Sequence, residues 1–101
     1  RPVLGVSGVS ISDLSSYELR MYRINTSASD GIYVAKVASG SAASQAGIET
    51  GDVITKFDGQ EVTTYKSFLT LLYSKNPGDK VDITVNRNGS ETTLTVTLGE
   101  K

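Results

Sequence analysis

An α+β fold, a small β-barrel or sandwich of five to six strands with two main helices and a short extra helix, is predicted by three features of the sequence. Short Val- and Ile-rich segments recur between glycine-marked turns. Asp58-Gly59 and Asn88-Gly89 sit between such segments, and Asn-Gly is the strongest short signal for a two-residue hairpin. Tyr65 to Ser74 has instead a helical period, behind Thr64 as a good N-cap.

The elements follow in order. Val3 to Ser12 reads as a strand interrupted by glycines. Leu4 and Val6 share one parity and Val9 and Ile11 the other, which puts a bulge or a change of facing near Gly8. Ser12 or Asp13 caps a short helix carrying Leu14, Tyr17, Glu18, Leu19 and Met21. Ile24 to Gly31 is a polar loop. Ile32 to Val37 is a strand with Ile32, Val34 and Lys36 on one face and Tyr33, Ala35 and Val37 on the other.

Ser39-Gly40-Ser41 starts a short helix through Ala42, Ala43 and Ala46, and Gly47 stops it because glycine accepts the left-handed conformation. Gly51-Asp52 is a turn, Val53 to Phe57 a strand, and Asp58-Gly59 a tight turn into Gln60-Glu61-Val62. The helix from Tyr65 ends before Pro77-Gly78. Val81 to Arg87 and Glu91 to Leu98 form the Asn88-Gly89 hairpin. No internal repeat, low-complexity tract or interior linker divides the chain.

With 101 residues the chain fits one domain, residues 1–101 with a core at about 2–98. Arg1-Pro2 without an initiating Met reads as the start of a fragment of a longer chain. Ten basic and eleven acidic residues nearly cancel and leave no clustered basic face for nucleic acid. No apolar run approaches the ~18–20 residues that span a bilayer, so no direct membrane contact is expected. Cysteine is absent, which excludes disulfides and thiolate zinc sites. Histidine is absent too, so neither a Ser-His-Asp triad nor a His-ligated metal centre can be built. Gly5-Val6-Ser7-Gly8 lacks both the base and the spacing of a serine nucleophile motif. Asp52, Asp58 and Asp79 stand beside turn glycines, where aspartate is expected on conformational grounds. No catalytic residue, metal or cofactor is assigned to this chain.

Two features are candidates for binding. On the Tyr65–Ser74 helix, Tyr65, Leu69 and Leu72 form one stripe and Phe68 and Leu71 an adjacent one. Together they cover about 160°, more than the ~100° of an ordinary surface helix. Either Phe68 and Leu71 pack on the core while the other stripe lines a groove, or the whole arc is core. Leu4-Gly5-Val6 has a glycine between aliphatic residues, which is compatible with an ordinary strand. It also fits a bend that turns successive N–H groups into one anion-binding cavity.

The order of the elements resembles a PDZ domain of the circularly permuted bacterial type. It is similar in particular to the PDZ domains of HtrA/Deg serine proteases. The resemblance covers about Pro2 to Leu98. It is carried by Leu4-Gly5-Val6, Ser41-Ala42-Ala43-Ser44-Gln45-Ala46-Gly47-Ile48, Gly51-Asp52-Val53-Ile54 and Asp58-Gly59-Gln60-Glu61-Val62, with the helix and the hairpin following.

The resemblance implies that the chain captures hydrophobic C-termini or unfolded peptide segments by strand addition. The backbone N–H groups of Leu4, Gly5 and Val6 would hold the peptide carboxylate. Ser7, Gly8, Val9, Tyr65, Leu69 and Leu72 would form the groove and pocket, and Arg1 would approach the carboxylate. Tyr65 stands where many eukaryotic members have a histidine that selects Ser or Thr, so that selection is not expected. Gly8, where a bulky aliphatic residue often closes the pocket, implies a roomier one and a preference for Val, Leu, Ile, Phe or Ala ends. The implied parent is an HtrA-like serine endopeptidase with a tethered protease domain. It would be extracytoplasmic, at a bacterial cell surface or membrane-anchored through the parent chain. C-terminal processing and intramembrane proteases are alternative parents, and a structural domain with no groove in use is the alternative function.

Overall fold

The computed structural model describes residues 2–11, 15–21, 31–87 and 89–100. Eight strands and three helices are assigned among them. Strands β1 (Pro2–Val3), β2 (Val6–Ser10) and β3 (Ile32–Val37) surround helix α1 (Ser16–Met21) in the sequence. Helix α2 (Ala42–Ala46) precedes β4 (Val53–Phe57) and β5 (Gln60–Glu61). Helix α3 (Tyr65–Tyr73) precedes β6 (Lys80–Arg87), β7 (Ser90–Thr97) and β8 (Gly99–Glu100).

The main sheet is antiparallel and open, in the order β2-β3-β4-β6-β7, with β5 paired to β4. A separate two-stranded ribbon joins β1 to β8, with Val3 opposite Gly99. Helix α3 packs against β1, β2 and β4, and α2 lies against β7. Leu4, Ile32, Val34, Ile54, Phe57, Phe68, Ile83, Val85 and Val96 fill the space between them. At roughly 1.5–3 kcal/mol for each large apolar side chain removed from water, this cluster is the main term holding the layers together.

Local chemistry explains where the elements start and stop. Asp58 and Gly59 both have positive φ, 55° and 80°, the pattern of a type I′ turn, so β4 folds back directly onto β5. Ser41 caps α2, its Oγ accepting from the Ser44 N–H at 3.2 Å, and Gly47 ends that helix at φ 98°. Thr64 and Ser67 form a reciprocal capping box at the start of α3. The β6–β7 register runs without interruption from Lys80↔Thr97 to Arg87↔Ser90. Asn88, between those strands, lies outside the described residues, as do Arg1, the Ser12 and Asp13 positions, Leu14 and the 24–30 loop.

Several expectations are corrected. The first strand is not continuous: Gly5, at φ 93°, breaks it into β1 and β2. The irregularity expected near Gly8 does fall between Ser7 and Gly8, but its extra residue belongs to β3, because Ser7 pairs with Lys36 and Gly8 with Val34, leaving Ala35 between them. Ala35 therefore resets the alternation, and Val37 joins Ile32 and Val34 against the core while Lys36 is exposed. Tyr33 packs on the other face with Ile11 and Val53. The residue capping α1 is Ser15, whose Oγ accepts from the Glu18 N–H while its own N–H donates to Glu18 Oε1, both at 3.2 Å.

One ion pair is built into this frame. Arg87 Nε and Nη2 donate to the two oxygens of Asp52 at 2.9 and 2.7 Å, and Nη2 also donates to the Gly47 carbonyl at 2.8 Å. Asp52 is 2% exposed and also accepts from the Glu49 N–H at 2.9 Å. The hydrogen bonds to Asp52 push the Arg87 guanidinium pKa above its ordinary value. The clamp ties the end of β6 to the turn that follows α2.

Replacing Arg87 with Ala leaves the Asp52 carboxylate buried without its charged partner. Because the Arg87 side chain is 33% exposed, the expected loss of about 2–3 kcal/mol is below the ~3–5 of a fully buried pair. Chemical denaturation measures it, and a loss under about 0.5 kcal/mol, within the range of an ordinary surface substitution, contradicts the assignment.

Candidate functional site

Strand β2 is an edge of the main sheet, and its ladder to β3 decides which backbone groups remain for another partner. Ala38 N–H donates to the Gly5 carbonyl at 2.8 Å, and Ile11 N–H donates to the Gly31 carbonyl at 2.9 Å. Those two bonds bracket Val6↔Val37 and Ser10↔Ile32 as the pairs whose own amides do not face each other. On the far side of β3, Val34 exchanges bonds with Asp52 and Gly51, so Gly8↔Val34 is such a pair as well. The N–H and C=O groups of Val6, Gly8 and Ser10 therefore point away from β3, toward the open edge. Those of Ser7 and Val9 are engaged with β3.

The turn before β2 is held from beneath. Ala43 N–H donates to the Leu4 carbonyl at 2.9 Å, and Ala38 N–H to the Gly5 carbonyl as above. In a trans peptide the carbonyl of one residue and the N–H of the next point in opposite directions. With both carbonyls drawn toward the 38–43 segment, the N–H groups of Gly5 and Val6 are turned the other way. Gly5 is the residue this geometry requires, since φ 93° is a conformation other residues rarely adopt.

An apolar pocket of about 400 Å³ opens beside this turn. Val3, Leu4, Gly5 and Val6 form one wall, and Tyr65, Phe68, Leu69, Leu72 and Tyr73 of α3 the other. Ala38 and Ser41 complete it. Phe68 is fully buried, edge-on to Phe57 with ring centroids 5.8 Å apart, and Tyr65 stacks obliquely on it at the same separation. At the far end of β2, the Tyr65 N–H donates to Ser10 Oγ at 2.7 Å. That bond satisfies a free N–H of the first helical turn and pins the start of α3 to the edge strand.

The pocket thus brings together six of the residues selected from the sequence: Leu4, Gly5, Val6, Tyr65, Leu69 and Leu72. Ser7, Gly8 and Val9 lie further along β2 and do not line it. Ser7 and Val9 are exposed on the opposite face. Gly8 does not enlarge the pocket: a Cβ there would come within 2.5 Å of the Tyr33 carbonyl oxygen and 2.8 Å of Ile32 Cγ2. Close approach of β3 at its bulge is what demands a glycine at this position.

The two helix stripes also divide differently from the expectation. Phe68 and Leu72 each serve both core and pocket, whereas Leu71, half-buried, packs against the core as expected and also borders a separate hollow with Thr70 and Gln60. Val3, Ala38, Ser41, Phe68 and Tyr73 are pocket residues that sequence reading did not select. Arg1 lies outside the described residues.

A two-residue first strand, a glycine turn and a helix laid along the edge strand after it mark a PDZ domain. The chain belongs to the PDZ domain family, whose model matches residues 2–98. It is similar to proteins of the HtrA serine protease type. Over 98 residues it is 40% identical to serine protease Do-like HtrA of Lactobacillus helveticus, covering 97% of this chain and 24% of that protein. It is 29% identical over 99 residues to the periplasmic pH-dependent serine endoprotease DegQ of Escherichia coli (strain K12), covering 97% of this chain and 20% of that protein. A solved structure described as HtrA-type protease AlgW with decapeptide matches with a TM-score of 0.87 and 30% identity, over 100% of this chain and 30% of that one. The chain spans less than a third of each of these proteins.

Ser10→Ala removes the acceptor that joins β2 to α3. The expected cost is about 1 kcal/mol, read as a lower denaturation midpoint, with faster hydrogen exchange at the Tyr65 amide. An unchanged midpoint and unchanged exchange contradict the role given to this bond.

Proposed function

We infer that the chain binds the free carboxyl end of another polypeptide as an extra antiparallel strand on β2. The single observation that carries this reading is the coincidence of three features at one place. Unengaged backbone groups of Val6, Gly8 and Ser10 line an open edge, an apolar pocket adjoins it, and the Gly5 and Val6 amides lie where both end. Backbone pairing supplies affinity, the pocket takes the terminal side chain, and the amides receive the carboxylate. Ser7 and Val9 border the bound strand on its outer side.

The pocket walls are aliphatic and aromatic, so an apolar terminal side chain is preferred. Burying it contributes roughly 1.5–3 kcal/mol. Charge-assisted hydrogen bonds to the carboxylate add about 1.5–3 and each strand bond about 0.5–1.5 kcal/mol. Against the ~4–15 kcal/mol cost of association, the surplus corresponds to dissociation constants on the order of micromolar or weaker.

Weak capture suits a tethered module. The similarity to HtrA-type proteases supports a parent chain with an attached serine endopeptidase domain, which this module supplies with substrate or regulates. Linkage raises the effective concentration of a captured chain at the neighbouring site without tighter contacts. Exposed hydrophobic ends of unfolded proteins are the ligands this arrangement favours, because folded proteins bury them. The periplasmic relative supports an extracytoplasmic location.

Calorimetric titration with a five-residue apolar peptide ending in Val, and with its C-terminal amide, tests the carboxylate mechanism. The amide is expected to bind about tenfold or more weakly, the equivalent of one lost charge-assisted hydrogen bond. Equal affinities contradict it.

A further inference from the structure

We propose that Ser41 is a positioning residue for the carboxylate-binding turn, acting as a spacer beneath Gly5. This deepens the reading above and rests on it. The distances around Gly5 are unlike those around most turn glycines of this chain. At Gly40, Gly47, Gly51, Gly59, Gly78 and Gly89, all with positive φ, an added Cβ would meet nothing within 4 Å. Glycine is needed there for conformation alone. A Cβ on Gly5 would fall 2.2 Å from Ser41 Cβ and 2.6 Å from Ser41 Oγ. The Ser41 side chain occupies the volume that a side chain on Gly5 would claim.

Ser41 is itself held firmly. Its N–H donates to the Ala38 carbonyl at 3.2 Å, its carbonyl accepts from the Gln45 N–H at 2.9 Å, and its Oγ caps α2. The two bonds that draw the Leu4 and Gly5 carbonyls inward come from Ala43 and Ala38, on either side of it. The turn is therefore pulled down at two points and propped up between them. With the prop removed, the same two bonds would draw Gly5 deeper and tilt the Gly5 and Val6 N–H groups away from the carboxylate. The hydroxyl serves the helix cap and adds to the contact beneath Gly5, whereas the Cβ, the nearer of the two atoms, is the main prop, so two substitutions separate the roles.

Ser41→Gly removes the prop, and glycine remains an acceptable N-cap residue. Ser41→Ala loses the cap but restores the Cβ. The readout is the ratio of affinities for the Val-ended pentapeptide acid and its amide, which a merely stabilising residue would not move. Ser41→Gly is expected to lower that ratio about tenfold, because acid binding falls by more than amide binding. Ser41→Ala is expected to recover most of the ratio despite a lower melting temperature.

A wild-type ratio in Ser41→Gly overturns the proposal, as does a loss in Ser41→Ala as large as in Ser41→Gly. If Ser41→Gly does not fold, Ser41→Ala with a ratio near that of wild type supports the spacer role, and a tenfold loss overturns it. A wild-type chain that binds acid and amide equally overturns the carboxylate reading itself, which separates that failure from failure of the spacer.

Discussion

An antiparallel edge strand leaves every second residue with an N–H and a C=O that its sheet does not use. In β2 those residues are Val6, Gly8 and Ser10, and the rest of the structure is arranged around their parity. On one side, the bulge at Ala35 keeps β3 bonded to β2 across the change of register while Val37 stays on the core. On the other, α3 follows the edge at a spacing set by the pocket walls at one end and by Ser10 with the Tyr65 N–H at the other. A one-residue slip would turn Ser7 and Val9 toward α3 and point the polar edge the wrong way. The short length of β2 and its glycine limit how readily such an open edge recruits a second copy of the chain.

The scaffold beneath the edge combines apolar burial with a few directional bonds. Phe57 and Phe68 join the sheet to the floor of the pocket, so the pocket is continuous with the core. The Asp52–Arg87 clamp lies away from the pocket lining and orders the turn between α2 and β4. Val34 bonds into that same turn through Asp52 and Gly51. Order in the turn therefore reaches the edge strand through β3. Across the fold, the β1–β8 ribbon fixes the approach to Gly5, with Val3 both paired to Gly99 and lining the pocket.

Features written in local backbone chemistry were legible from the sequence. Asp58-Gly59, Gly47, Thr64 and the β6–β7 hairpin each depend on a few neighbouring residues, and each lies where the sequence places it. Features that depend on a distant partner were not. The extra residue at Ala35 shows only when β2 and β3 are paired, and from one strand alone it reads as a change of parity near Gly8. Gly8 is explained by the Tyr33 carbonyl, 25 positions along the chain, whose approach no local pattern announces. On α3, each step around the helix is ~100°, so the helix by itself leaves open whether Tyr65, Leu69 and Leu72 line a groove or join the core, and only the resemblance assigns them to the pocket that they line. The β8 strand has two residues and exists only because Pro2 and Val3 lie beside it. Ser41 was readable as the start of a helix, whereas its contact with Gly5 emerges only in three dimensions.

The central claim is that a peptide joins the sheet at the unengaged backbone positions of β2. Residue-resolved amide hydrogen exchange, with and without a saturating Val-ended pentapeptide acid, tests it most directly. The account predicts new protection at Val6, Gly8 and Ser10, with Ser7 and Val9 little changed because β3 already engages them. Protection spread evenly over β2, or none at the three outward-facing amides despite measurable binding, would contradict it.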